Sequence, residues 1–133
     1  MKVKLKILKK DSKNVAKVVL YDEKNRVLLL RRSNYHKKHA GEWDLPGGHL
    51  HVDESLEEGL KREVLEETNL AIKDPIFFKK TKNLHFFCAK MPSKKVKLSS
   101  EHVEFKLFKK KDLNKQEKFQ KVAFEILERL ENE

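Results

Sequence analysis

Two periods run through the apolar positions of this chain, one of two residues and one of about 3.6. Val3, Leu5 and Ile7 alternate with lysines, the pattern of an edge strand whose open side is charged. Residues 15–21 and 27–30 are denser in Val and Leu. They flank the turn-forming cluster Asp22-Glu-Lys-Asn-Arg26 and so predict a hairpin of central strands. Residues 72–79, 84–91 and 103–108 predict three more strands, and residues 43–50 an irregular strand and loop. The longer period appears twice. Leu56, Leu60 and Val64 recur at four-residue steps in a helix predicted over 54–68, with Asp53 as its N-cap. From Lys118 onward, Phe119, Val122, Ala123, Ile126, Leu127 and Leu130 trace a second amphipathic helix. Residues 111–113 suit a short turn. Strands mixed with two helices imply an α/β architecture, and with no repeat or linker visible, residues 1–133 are expected to form one domain.

The first helix carries an unusual face. Glu63, Glu66 and Glu67 lie at i, i+3 and i+4 and share one side. Like charges at that spacing destabilise a helix by about 0.2–0.5 kcal/mol per pair, whereas a bound divalent cation turns them into a hard-oxygen site. On a helical wheel Glu67 falls inside the apolar stripe and Glu63 beside it, so the acids should stand in a cleft at the edge of a core. Gly59 lies on the same edge. A mid-helix glycine costs roughly 1 kcal/mol relative to alanine, which points to close approach of backbone or ligand there.

The run from Gly48 to Leu70 resembles the signature of the Nudix hydrolases, G-x5-E-x7-R-E-U-x-E-E-x-G-U, where U is a bulky aliphatic. Gly48, Glu54, Arg62, Glu63, Val64, Glu66, Glu67 and Leu70 fall in place. The one departure is Asn69, where the family has glycine. That position closes the helix in a left-handed turn, and asparagine is the next residue able to adopt it. Upstream, Trp43-Asp-Leu-Pro46-Gly47-Gly48 is similar to the segment that enters this motif in many members.

The resemblance implies a mixed β-sheet sandwiched between helices, and hydrolysis of a nucleoside diphosphate linked to another moiety by water attacking phosphorus. It implies Mg²⁺, with Mn²⁺ as a substitute, on Glu63, Glu66 and Glu67. The backbone carbonyl of Gly47 or Gly48 could add a ligand, since glycine permits close approach. Glu66 and Glu67 would be essential to turnover, and Arg62 with Glu54 would hold the carboxylates in position. The plainer alternative for Arg62 is a surface ion pair with Glu58. For the group that deprotonates water, Glu101 on the loop side of its strand fits better than Glu104, with His102 a third candidate. One of Arg31 and Arg32 could contact a substrate phosphate alongside Gly47 and Gly48, since strand alternation lets only one face the cleft.

Composition changes the picture only in part. The net charge of +10 suits polyanionic substrates and weak, non-specific RNA binding. However, only five of the 31 basic residues are arginine, the residue that reads bases bidentately. Lone Cys88, in an aromatic run, is expected in the core of a cytoplasmic protein. No run approaches the roughly 20 apolar residues of a membrane helix, and Met1-Lys-Val-Lys alternates too regularly for a signal sequence. His36, His39, His49 and His51 lack compact metal-ligand spacing and are expected on loops or the surface. Tyr35 and Trp43 could stack on a base or belong to the core. By analogy with the family, the resemblance implies a nucleoside triphosphate, oxidised forms included, as the default substrate, and the protein is expected as a monomer or homodimer. An RNA 5′-triphosphate is the alternative within the same fold, and a non-catalytic nucleotide- or RNA-binding module is the alternative outside catalysis.

Overall fold

The computed structural model describes residues 11–34 and 39–133. The edge strand expected at residues 3–7, and the expectations for Tyr35 and His36, lie outside the described residues. Among the described residues, seven strands and two α-helices follow one another: β1 (Asp11–Tyr21), β2 (Val27–Arg32), β3 (Trp43–Asp44), β4 (Gly47–His51), α1 (Leu56–Thr68), β5 (Ile76–Thr81), β6 (Leu84–Lys90), β7 (His102–Phe108) and α2 (Lys118–Glu131). A single 3₁₀ turn at Lys110–Asp112 stands where a turn was expected.

The strands form one sheet in the order β3-β2-β1-β6-β5, with β4 also on β1 and β7 on β2. β1 and β6 run parallel from Val15↔Leu84 to Tyr21↔Lys90, and the remaining pairs are antiparallel. The hairpin closes at Tyr21↔Val27. Along its other half, β1 pairs with β4 instead, Lys17 opposite Gly47. The sheet therefore forks along β1, and the cleft described below opens at the fork.

Alternation assigns the two faces. Ala16, Val18, Leu20, Leu28, Leu30, Phe87 and Ala89 pack with Leu60 and Val64 of α1. Val19, Val27, Leu29 and Phe86 pack with Val122, Ala123, Ile126 and Leu127 of α2. Burying each such aliphatic side chain contributes about 1.5–3 kcal/mol, so both helices are held by the sheet rather than by propensity. Both faces of β1 and β2 are covered, which is why their sequences read as continuous apolar runs. The result is the expected α/β arrangement, a mixed sheet between helices. Cys88 is half-buried at the margin of the α2-side core.

Two boundaries differ from the sequence reading. α1 starts at Leu56 with Ser55, not Asp53, as N-cap. The Ser55 hydroxyl accepts from Glu58 N at 3.1 Å, and the Glu58 carboxylate accepts from Ser55 N at 3.0 Å. This capping box satisfies two end donors at once and outcompetes a lone aspartate. β5 starts at Ile76 rather than at residue 72 because Asp74 is left-handed (φ 46°) and Pro75 has no N–H to donate. Ile72 is instead buried beside α1.

Candidate functional site

The acidic face of α1 meets β4 at Gly47 and Gly48. Gly47 N–H donates to Glu67 Oε1 at 2.9 Å. A Cβ on Gly48 would lie 2.8 Å from Glu63 Oε2, so the missing side chain is what lets the carboxylate sit against the strand. Gly47 has φ 126°, and a Cβ there would stand 2.1 Å from the Ala16 carbonyl oxygen. Gly59 is approached by side chains of the protein itself, since its Cβ would lie 2.6 Å from Leu50 Cγ and 3.1 Å from Glu54 Oε1. Close packing of α1 on β4, rather than a ligand, explains that glycine.

Arg62 organises the outer acids. Its Nε and Nη2 donate to Glu54 Oε2 and Oε1 at 2.6 and 3.0 Å, and Nη1 donates to Glu63 Oε1 at 3.2 Å and Glu66 Oε1 at 3.1 Å. Nη2 also reaches the His49 carbonyl at 3.2 Å. Glu58, the alternative partner, is engaged in the cap. The Arg62 guanidinium, helped by the His51 N–H, holds the Glu54 carboxyl down to about 2. Glu63 and Glu67 move the other way. Burial raises Glu63, and burial pushes Glu67 up to about 8 despite the Lys17 charge and the Gly47 N–H.

Glu63 and Glu67 line a cleft of about 490 Å³ together with Gly47, Gly48 and Glu101. Its floor is a buried charge cluster. Lys17 Nζ donates to Asp44 Oδ1 and Oδ2 at 3.0 and 3.2 Å, to Leu45 O at 3.1 Å and to Gly47 O at 3.0 Å. Arg32 Nη1 donates to Asp44 Oδ2 at 3.2 Å, and His102 Nε2 lies 3.7 Å from the same oxygen. Burial opposes ionisation of Asp44, but Lys17 and His102 bring its carboxyl down to about 2. Trp43 and Phe119 form an aromatic wall. Trp43 meets Phe108 edge-on at 5.1 Å, and the Lys17 ammonium lies 5.5 Å from the Phe119 ring centre.

The expected residues divide accordingly. Glu63, Glu67, Glu101, Gly47, Gly48 and Arg32 share the cleft. Arg31 points elsewhere and donates to Glu104 Oε1 at 2.6 Å, which removes Glu104 from the cleft as well. Glu66 is exposed on the Arg62 side and does not line the cleft. His49 lines it, His39 is at its rim paired with Glu42, and His51 lies 3.6 Å from Glu54. Lys17 and Asp44 had no expected role. The available signal was a single lysine inside the apolar run of β1, which is too costly to bury without a partner.

Among the described residues no three His, Cys, Asp or Glu side chains converge closely enough to hold an ion as they stand. Arg62 and the Gly47 N–H occupy their oxygens instead. The donor set nevertheless fits a hard divalent cation. Glu63, Glu67 and Glu101 present only oxygen to one cleft, and a bound cation would offset the cost of burying the Glu63 and Glu67 charges, which burial opposes.

The family model described as "NUDIX domain" matches residues 11–130. A "MutT-like protein" of Streptomyces ambofaciens is 43% identical over 61 residues, covering 46% of this chain and 36% of that protein. A "Putative 8-oxo-dGTP diphosphatase" of Bacillus subtilis (strain 168) is 43% identical over 51 residues, covering 38% of this chain and 31% of that one. These matches span about a third of each curated relative's own length. The crystal structure of a MutT protein from Methanosarcina mazei Go1 superposes with a TM-score of 0.68 at 32% identity, covering 90% of this chain and 94% of that one.

Proposed function

This chain belongs to the Nudix family, and on that premise we propose that it is a single-domain, divalent-cation-dependent pyrophosphohydrolase of nucleoside triphosphates. The observation that carries the reading is the meeting of Glu63, Glu67 and Glu101 with Arg32 and an aromatic wall in one cleft. Glu63 and Glu67, with Glu66 from the outer side of α1 and the carbonyl of Gly48, would hold Mg²⁺ or Mn²⁺, since the Gly47 carbonyl already accepts from Lys17. Such a cation, when bound, neutralises phosphate charge and lowers the pKa of the attacking water.

The chain's own residues are assigned the remaining tasks. Arg62 keeps Glu54, Glu63 and Glu66 at fixed spacing through the bonds described above. Arg32 takes a phosphate oxygen, a role supported by its position on the cleft floor. Trp43 and Phe119 offer flat apolar surface to a base. Glu101 takes the proton of the attacking water. It lines the cleft, whereas its rival Glu104 is bound to Arg31 outside it. The name carried by the Bacillus subtilis relative makes oxidised deoxyguanosine triphosphate the first substrate to try.

The test is a phosphate-release screen with and without Mg²⁺, over ordinary and oxidised nucleoside triphosphates, ADP-ribose, dinucleoside polyphosphates and 5′-triphosphorylated RNA. Mg²⁺-dependent pyrophosphate release from a nucleoside triphosphate is expected. Preference for the RNA would move the assignment to 5′ ends, and nucleotide binding without turnover would make the chain a binding module.

A further inference from the structure

The buried cluster on the cleft floor has a feature that the pyrophosphohydrolase reading leaves unexplained. A lysine stands inside the central strand, 7% exposed, next to an acidic face that is to accept a divalent cation. A fixed ammonium competes with such a cation for the same carboxylates. Its placement decides whether it does.

Four oxygens surround Lys17 Nζ within 3.2 Å: both of Asp44 and the carbonyls of Leu45 and Gly47. Gly47 in turn donates its N–H to Glu67. A single residue, Gly47, therefore links the ammonium to the most buried carboxylate of α1, yet the ammonium's charged partner is Asp44. Asp44 is 3% exposed and is itself held from three strands, by Lys17 on β1, Arg32 on β2 and His102 at the start of β7. Removing Lys17 leaves Asp44 with Arg32 and His102. Removing the Asp44 charge leaves Lys17 with neutral acceptors only, and a buried charge stripped of its counter-charge is strongly unfavourable. The acids of α1, reached across Gly47, are then its remaining recourse. The two members of this pair are not equivalent.

We propose that Asp44 is a positioning residue for the acidic face of α1: by binding the Lys17 ammonium against the Leu45–Gly47 segment, it keeps the ammonium from pairing directly with Glu67 and leaves that carboxylate to a divalent cation. This rests on the cation-binding reading of Glu63 and Glu67. Asp44 touches neither substrate nor cation in this scheme and acts through Lys17.

The experiment is Mn²⁺ binding to the protein alone, followed by electron paramagnetic resonance, in wild type, Asp44→Asn, Lys17→Met and the double variant, each with a thermal melt to establish folding. Asp44→Asn is expected to weaken Mn²⁺ by about 10- to 100-fold, the range for residues that orient metal ligands. Lys17→Met and the double variant, which lack the competing ammonium, are expected to bind Mn²⁺ as wild type does or more tightly. A role in shape alone would weaken Lys17→Met as much as Asp44→Asn, and that result overturns the proposal. So does wild-type affinity in Asp44→Asn, or no recovery in the double variant. The double variant carries the test by itself if Asp44→Asn does not fold, because loss of Mn²⁺ in it also overturns the proposal. If wild type binds no Mn²⁺, the cation site on α1 is wrong and this proposal falls with it, an outcome distinct from failure in the variants alone.

Discussion

Adjacent glycines at the mouth of the cleft do different work. At Gly47 a Cβ would strike the backbone of β1, and the φ of 126° is closed to other residues. Gly47→Ala is therefore expected to cost about 2–4 kcal/mol, visible as a lowered melting temperature. At Gly48 the obstacle is the tip of the Glu63 side chain, which can swing away. Gly48→Ala is expected to stay folded while turnover falls by about 100-fold, because the displaced carboxylate loses its position. Comparable loss of stability in both variants would show that Gly48 serves the fold only. Glu66→Gln and Glu67→Gln should each lower turnover by about 100-fold or more, with melting unchanged or raised, as like-charge repulsion is relieved at Glu66 and a buried acid is replaced by a neutral amide at Glu67. Steady-state kinetics beside a melt checks this, and activity near wild type in both would remove them from the site.

At the scale of the element, α1 depends on its two ends. Its start is the Ser55–Glu58 box, and its finish is Asn69 at φ 63°, whose N–H donates to Leu65 O at 2.9 Å. The left-handed finish was legible in the sequence as an asparagine at the glycine position of the signature. Asn69→Gly should be neutral or stabilising, whereas Asn69→Val should cost about 1–2 kcal/mol because a β-branched residue clashes in that region. A thermal melt in which valine is tolerated as well as glycine would contradict this. The start was misread because Asp53 and Ser55 both suit an N-cap locally. What separates them is the residue three positions on: Glu58 completes a capping box with Ser55, whereas Leu56 offers Asp53 no such partner.

Across the whole molecule, charge governs stability and association. Glu54 and Asp44 both sit at about 2 in the folded protein, below the ordinary 4.5 and 3.8. A carboxyl depressed by folding adds stability that is complete above its unfolded pKa and is lost as pH falls toward its folded one. Melting temperature is thus expected to drop between about pH 4.5 and pH 2, and Glu54→Gln should blunt the drop in a circular-dichroism series. The net charge of +10 has a different consequence. Binding of generic RNA is expected to collapse between low and physiological salt, since dispersed lysines act by releasing counterions. A filter-binding titration that shows tight binding at high salt would revive the RNA 5′-end reading. No helix among the described residues is long and apolar enough to cross a membrane.

Periodicity and the spacing of Gly48 to Leu70 carried most of this protein by themselves. Both helices, the hairpin of β1 and β2, the burial of Glu67 within an apolar stripe and the acidic face of α1 depend on local repeats of 2 and 3.6 residues, and these survive any packing that buries the apolar side. Tertiary structure alone decided the rest. It selected Arg32 over Arg31 and Glu101 over Glu104 as cleft residues, because the pairing of β2 with β7 sets which side chains meet across the sheet. It also joined Lys17 to Asp44, 27 positions apart, through the fork of the sheet along β1. Contacts between residues so distant in the chain leave no period to read, and only the folded geometry fixes which charges find each other.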